Sequence, residues 1–381
     1  MNIKINISTL DGDSYPLHIW DYYYSLKQYL SFPNNPTIDI QIEKIDNFER
    51  KGDITILHMR NHDDKSIALY VDKFDIIIID NNMEPTSVSS QHIVDAMKLY
   101  PNVYFLCASF VSDDFPMSEK VITFSNDWVN TLDLFTNPMM PPKHAIKNAP
   151  NRKGISYVGG QLRSYRKYIL DNLPSVGIKK IQNATTVVTT NDVYLDTDAQ
   201  QFIDYCNELY NVCGDNVVDD IGNPFYKSVL HGIDGKRRSG NTLIGYYALE
   251  EYTTNNCIIY PETSFMNYEV LPTEKTFKCV ACKTHWVMFA GAGSYAIMKE
   301  YGFDSILSLV PNGLDFDKIK NHQERIDAQM NAIEYLVNTP SIFDTDEAMC
   351  ILENNYENYF MSNLAMVNMV DTMDNMMAKH V

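Results

Sequence analysis

The 381-residue sequence contains no apolar run that approaches the roughly 20 residues needed to cross a bilayer. Its hydrophilic opening, MNIKINISTLDGDSY, lacks the basic-then-apolar pattern of a signal peptide. A membrane span is therefore not expected, and a cytoplasmic location is. Positive charge is scarce: 31 Lys and Arg stand against 49 Asp and Glu, for a net charge of −18. That balance opposes nonspecific adhesion to nucleic acid or to an anionic membrane, although a local basic patch would still suit a polyanionic acceptor. Lys236-Arg237-Arg238 is the only dense basic run, set among glycines. It reads first as a solvated loop and second as a phosphate contact. Paired cysteines are also lacking. Cys107, Cys206, Cys213, Cys257, Cys279, Cys282 and Cys350 are odd in number, which fits a reducing compartment. Cys279 and Cys282 form a CxxC, but no second pair or matching histidines complete a zinc set, so buried helix thiols are expected. There is no internal repeat.

What is present is alternation. The length suggests two domains of about 150 residues each. In the first half, strands are expected at Asn2 to Ile7, Ile38 to Ile42, Ile54 to His58, Phe74 to Asp80, Val103 to Ala108 and Val121 to Phe124. Ile76 to Ile79, bounded by aspartates, is the strongest, and a run so uniformly apolar predicts a strand buried on both faces. Helices are expected at Tyr22 to Leu30, Ser90 to Tyr100 and Trp128 to Phe135. Strand and helix alternate at α/β spacing, so a doubly wound parallel sheet is predicted. Asn137-Pro138-Met139-Met140-Pro141-Pro142, with Pro150, then interrupts the pattern and reads as a linker. The expected division is 1–145, 146–340 and a C-terminal helical segment 341–381.

The second half restarts the alternation. Lys153 to Val158 reads as a strand, Gly159-Gly160 as a turn, and Gln161 to Leu173 as a helix. Strands follow at Thr186 to Thr190, Cys257 to Tyr260, Trp286 to Phe289 and, as a candidate, Leu307 to Val310. Helices are expected at Gln200 to Val212, Thr242 to Thr253 and Asn321 to Val337, with a methionine-rich helix in Asp346 to Lys379 that packs on the core.

Two stretches carry chemistry. Pro272-Thr273-Glu274-Lys275 opens a helix with Thr273 at the N-cap position; Phe277, Val280, Ala281 and His285 fall on one face of it. Backbone N–H groups and the helix dipole favour an anion there, and Lys275 would add a point charge for a phosphate. A charged first turn is also ordinary helix chemistry. Earlier, Gly159-Gly160-Gln161-Leu162-Arg163-Ser164-Tyr165-Arg166 follows a strand and opens a helix. Glycines let backbone approach a ligand, and arginine can clamp a diphosphate bidentately. The competing reading is a solvated basic face.

From Gly154 to Ile306 the sequence resembles the nucleotide-sugar-binding half of GT-B glycosyltransferases, nearest the α-1,3-fucosyltransferase type and related phage-encoded sugar transferases. The likeness rests on the Thr-Glu-Lys helix start, the following strand and Gly loop, and Arg166 opening Arg166-Lys167-Tyr168-Ile169-Leu170. It implies an α/β fold of two Rossmann-like doubly wound domains facing a cleft, with C-terminal helices crossing back to the first domain. It implies transfer of a hexosyl or pentosyl group from a nucleotide-diphosphate sugar to a hydroxyl, by inversion. The acceptor would be a saccharide or a hydroxymethylated DNA base, in a host cytoplasm if the source is viral. Arg166, with Arg163 one turn earlier, and Lys275 would meet the diphosphate; Glu274 would meet ribose or sugar hydroxyls. Gly159, Gly160, Gly291 and Gly293 would lie near the donor, and Tyr260 or Tyr268 would stack on the base. The family's asparagine before the Glu-Lys pair has no match at the right offset, Asn267 being misplaced for it, so the base is left open.

Gly291-Ala292-Gly293-Ser294-Tyr295-Ala296 also matches a dinucleotide fingerprint, but the candidate strand that follows, Leu307 to Val310, runs into Pro311-Asn312-Gly313 where an acidic residue should end it. A general base is expected from strand ends of the first domain: His58, His62, Asp80, Glu84 or Asp113, with Glu84 favoured and Asp80 next. Asp11-Gly12-Asp13 and Asp196-Thr197-Asp198 match a metal-binding D-x-D by letter only, so no metal and no cofactor beyond the donor are expected. The alternative is a non-catalytic α/β nucleotide-binding or interaction module.

Overall fold

The computed structural model describes residues 3–9, 20, 23, 38–44, 54–60, 67–80, 91–112, 115, 117–124, 152–159, 162–183, 187–189, 197–210, 218–219, 249–262, 265, 267, 269–362 and 364–379. The chain divides into two compact units, Met1–Ser125 with Leu364–Val381, and Asn126–Asn363.

The first unit is built on β1 (Ile3–Thr9), β2 (Ile38–Lys44), β3 (Ile54–Arg60), β4 (Ile76–Asp80), α1 (Gln91–Leu99), β5 (Val103–Cys107) and β6 (Val121–Thr123). These strands form one parallel sheet in the order β2-β1-β3-β4-β5-β6. The order reverses between β1 and β3, the point where doubly wound sheets open a crevice beyond their strand ends. Every residue of β4 and β5 is buried, as continuous apolar strands require. On one face Leu57, Met59, Ile77, Ile79, Val103 and Phe105 pack against Ile93, Ala96 and Met97. Those three lie on one face of α1 at helical spacing. Lys120, also buried, closes the end of α1 by donating to the carbonyls of Met97 (2.6 Å) and Tyr100 (2.9 Å).

The second unit contains β7 (Ile155–Gly159), α2 (Ser164–Asn172), β8 (Lys180–Asn183), α3 (Thr197–Leu209), β9 (Cys257–Pro261), α4 (Glu274–Ala281), β10 (His285–Phe289), α5 (Ser294–Glu300), α6 (His322–Asn338) and α7 (Asp346–Glu357). Its main sheet is parallel in the order β8-β7-β9-β10. Here too the order reverses, between β7 and β9. The last helix, α8 (Leu364–Ala378), belongs to the first unit and packs against β6. Met366, Met369, Met373, Met376 and Met377 are its buried face, and Tyr23 donates to Asp374 on it. The fold is thus α/β with parallel sheets and C-terminal helices.

Some local expectations give way. Leu307 to Val310 is not a strand: Ile306–Leu309 is a 3-10 turn. Ser305 starts it by accepting the Leu307 N–H while donating to the Trp286 carbonyl (2.8 Å), and Asn312 turns the chain back with φ +55. Four apolar residues suit either conformation, and the flanking turn residues decide it. His285 is not on the face of α4, because the helix ends at Ala281 and His285 begins β10. The helix expected from Gln161 begins at Ser164, after a short strand at Leu162–Arg163. The expected helices at Tyr22 to Leu30 and Trp128 to Phe135 lie wholly or mostly outside the described residues.

Candidate functional site

In the second unit the chemistry gathers where β9 ends. Glu262, the residue after that strand, is fully buried. Its carboxylate accepts from the Thr273 N–H (3.2 Å), the Thr273 hydroxyl (2.8 Å) and the Thr276 hydroxyl (2.7 Å). Its backbone carbonyl accepts from the Tyr165 hydroxyl (3.0 Å) and from an Arg166 Nη (3.3 Å). Arg166 Nε also donates to the Tyr165 oxygen (3.0 Å). One strand-end residue therefore ties down the starts of both α2 and α4. Thr273 does occupy the N-cap position of α4, but its hydroxyl makes no capping bond and goes to Glu262 instead.

Lys275, buried in the first turn of α4, donates to Glu274 Oε1 (3.0 Å) and to the Thr273 hydroxyl oxygen (3.2 Å). It is also a source of attraction for the Glu262 carboxylate. Burial pushes the Glu262 carboxyl above its ordinary range, outweighing Lys275 and the two threonines. Burial works on Glu274 in the same sense, but Lys275 and Lys278 prevail and hold it below the ordinary range. Burial also opposes the charge on Arg166; the oxygens of Tyr165, Tyr157 and Glu262 more than offset it, so the guanidinium stays charged. Arg166 and Lys275, read separately in the sequence, thus share Glu262 as a neighbour.

Arg163 is the N-cap of α2, extended (φ −97, ψ 160) and half-buried. Gly159 closes β7, while Gly160 lies outside the described residues. Ser164, first in α2, is fully buried, and its hydroxyl has no hydrogen-bond partner among the described residues. Tyr260 lies inside the core with its hydroxyl on Thr276 (2.8 Å), so its ring offers no face for a base. Tyr268 and Lys236 to Arg238 lie outside the described residues.

The Gly loop after β10 is already engaged. Gly293, with φ +81, is the N-cap of α5, and its N–H donates to the Asp317 carbonyl (2.7 Å). The Asp317 carboxylate accepts from Tyr295 N–H (3.2 Å) and Ala296 N–H (3.0 Å). A carboxylate from this same chain therefore sits where a dinucleotide fingerprint would place a pyrophosphate. Asn267, weighed in the sequence as a base reader, accepts the Ala292 N–H (2.9 Å). Gly291 is buried, its carbonyl accepting from the Ser294 hydroxyl (2.8 Å).

In the first unit, His58 and Asp80 lie near the C-terminal ends of adjacent central strands. His58 Nε2 is 2.8 Å from Asp80 Oδ2, and both side chains are buried. His58 also stands beside Thr9, the last residue of β1, and so marks the place where the strand order reverses. Its Nδ1 has no hydrogen-bond partner among the described residues. A carboxylate on one nitrogen fixes the tautomer, which leaves the other to accept a proton. Asp80, expected as a base or a turn former, is instead the partner of this histidine. Glu84, His62, Asp113, and the lettered D-x-D matches Asp11 to Asp13 and, at Asp196, the second one lie wholly or partly outside the described residues.

Sequence reasoning gave no role to Glu262 or Asp317. Asp317 sits with Asp315 in a 3-10 turn, Asp315–Lys318, and the available signal for Glu262 is only its place, one residue beyond a central strand. Cys279 and Cys282 are both buried in and just after α4, and burial pushes the Cys282 thiol up to about 12. No cluster of metal-ligating side chains occurs among the described residues, and no described helix is long and apolar enough to cross a membrane.

No family model matches the sequence, and no curated protein matches it. Solved structures do. An α,α-trehalose-phosphate synthase (UDP-forming) from Burkholderia vietnamiensis is similar at 10% identity and TM-score 0.41, over 86% of this chain and 74% of that one. The trehalose-6-phosphate synthase OtsA is similar at 11% identity and TM-score 0.40, over 94% and 77%. The wall teichoic acid polymerase TagF is similar at 11% identity and TM-score 0.29, over 98% and 89%. With TM-scores below 0.5, these likenesses establish neither family nor activity.

Proposed function

We propose that this chain is a glycosyltransferase of the GT-B kind, moving a sugar from a nucleotide-diphosphate sugar to a hydroxyl acceptor. The observation that carries this reading is the convergence of Arg166 and Lys275 on Glu262, at the strand end where the second sheet reverses its order. Two cations from two helix starts at such a point suit a diphosphate. Glu274, partly exposed beside Lys275, is placed to accept from ribose or sugar hydroxyls. Gly159 and Gly160 let backbone approach the phosphates, with Arg163 as a further cation at the same helix start.

In this reading His58 is the general base and Asp80 its positioning residue, while Glu84, favoured from the sequence, lies outside the described residues. His58 Nδ1 takes the proton of the acceptor hydroxyl while that oxygen attacks the sugar's anomeric carbon. The bond from that carbon to phosphate breaks, and the diphosphate leaves with the electron pair. Arg166 and Lys275 stabilise the charge that develops on it. Attack from the face opposite the leaving group inverts the centre, and cationic side chains serve where other transferases use a metal. The acceptor is a saccharide or, in a phage setting, a hydroxymethylated DNA base; the net charge of −18 favours the saccharide.

The test is release of free nucleoside diphosphate from UDP-, GDP- and dTDP-sugars, with and without hydroxyl acceptors. Acceptor-dependent release from one donor is expected. Binding without release across donors and acceptors would make the protein a nucleotide-binding module instead.

A further inference from the structure

Glu262 is a buried carboxylate that the transfer chemistry does not use. It faces Lys275 and, more distantly, Cys279 on α4, Tyr260 on β9, and Arg166 at the start of α2. Lys275 supplies the main counter-charge to the carboxylate; Arg166 also attracts it, although its hydrogen bond goes to the backbone carbonyl. Lys275 is already shared, its Nζ lying 3.0 Å from Glu274 Oε1. One ammonium thus serves two carboxylates before any ligand arrives.

A diphosphate on Lys275 would be a third claimant. Charge drawn toward it is charge withdrawn from Glu262, which is buried away from bulk solvent. A buried carboxylate stripped of its partner takes up a proton rather than remain charged. We propose that an anionic ligand held by Lys275 binds together with one proton, taken from solvent by Glu262. The claim rests on the reading that Lys275 meets the donor's diphosphate.

The surrounding hydrogen bonds can accommodate the change. Thr276 now donates to Glu262 while paired with the Tyr260 hydroxyl, and either oxygen of that pair can be the donor. With Glu262 protonated, the acid donates to the Thr276 oxygen and the Thr276 hydroxyl turns to Tyr260, whose own hydroxyl proton gives up Thr276 as its acceptor. No heavy atom has to move. Burial already holds the Glu262 carboxyl above its ordinary range, the same direction as the proposed uptake. Glu274 stays charged, as Lys278 also supports it.

The measurement is titration calorimetry with UDP-glucose, GDP-fucose and dTDP-glucose, whose pyrophosphates carry no proton near neutrality, in buffers of differing ionisation enthalpy. For the donor that binds, the observed enthalpy should change with buffer in the sense of proton uptake, approaching about one proton per ligand. Affinity should weaken by up to about tenfold per pH unit above neutrality. In Glu262→Gln, which keeps an acceptor for the threonines, the buffer dependence should vanish. Infrared difference spectra of the unsubstituted protein should gain a protonated-carboxyl band on ligand addition, a readout independent of how the variant folds. Binding with no buffer dependence and no such band would overturn the proposal while leaving the donor site standing. Failure of every donor to bind would overturn the donor reading and this inference with it.

Discussion

In the first unit the strands run β2-β1-β3-β4 across the point of reversal, and in the second they run β8-β7-β9-β10. The scaffold is the same, yet what each sheet presents there differs. The first sheet offers a buried pair, His58 on Asp80. The second offers two cations laced to a carboxylate and a backbone carbonyl. The first arrangement suits moving a proton and the second suits holding an anion. In the proposed reading the reversal point marks where the chemistry lies, and the residues at or just past the strand ends set which chemistry it is.

That contrast can be broken. His58→Ala should lower the transfer rate by about 10²–10⁴-fold while leaving the donor dissociation constant unchanged; an equal loss of donor affinity, read by calorimetry, would erase the division of labour. Arg166→Ala removes a buried charge and leaves the Glu262 carbonyl and Tyr165 short of a donor, so a loss of about 3–5 kcal/mol in unfolding free energy, read from denaturant titrations, is expected. Lys275→Ala should weaken nucleoside diphosphate binding by about 10–100-fold, the worth of one charge-assisted hydrogen bond; unchanged affinity would contradict the site. Lys275→Arg should recover part of it.

The other end of the second sheet sharpens the comparison. His285 begins β10, and both its ring nitrogens are buried without a hydrogen-bond partner among the described residues. Burial, aided by Arg152, lowers its pKa from 6.5 to about 3. The unfolded chain therefore binds the extra proton between those values, and stability should fall as pH drops through that window. His285→Phe should flatten this part of the melting-temperature profile and leave donor binding unchanged. The smallest effect is reserved for Asp317→Ala, which uncaps α5 and should cost about 1 kcal/mol without altering donor affinity.

The buried strands were legible because parallel strands covered on both faces read as unbroken apolar runs; Ile76 to Ile79 and Cys257 to Tyr260 are such runs. The helix start at Glu274 was legible from Pro272 and Thr273. Glu262 was not, since a single acid in a loop has no periodicity to betray it. The pairing of His58 with Asp80 spans 22 residues and depends on the register of two neighbouring strands, which letters alone do not supply. Nor did the Gly291 to Ala296 fingerprint match disclose that the first amides of α5 are satisfied by Asp317, 21 or 22 positions downstream. Leu307 to Val310 misled because a short apolar run is silent about its own curvature.

The placement of Leu364–Val381 with the first unit makes that unit discontinuous in the chain, with the whole of the second inserted between its parts. During synthesis the residues of the second unit are all available before the methionine face of α8 exists to cover β6. Met1–Ser125 must therefore wait, with apolar surface uncovered, until Leu364–Val381 emerges, while its neighbour is free to mature first. A chain cut after Asn363 would spare the later-coded unit and leave the earlier-coded one unfinished.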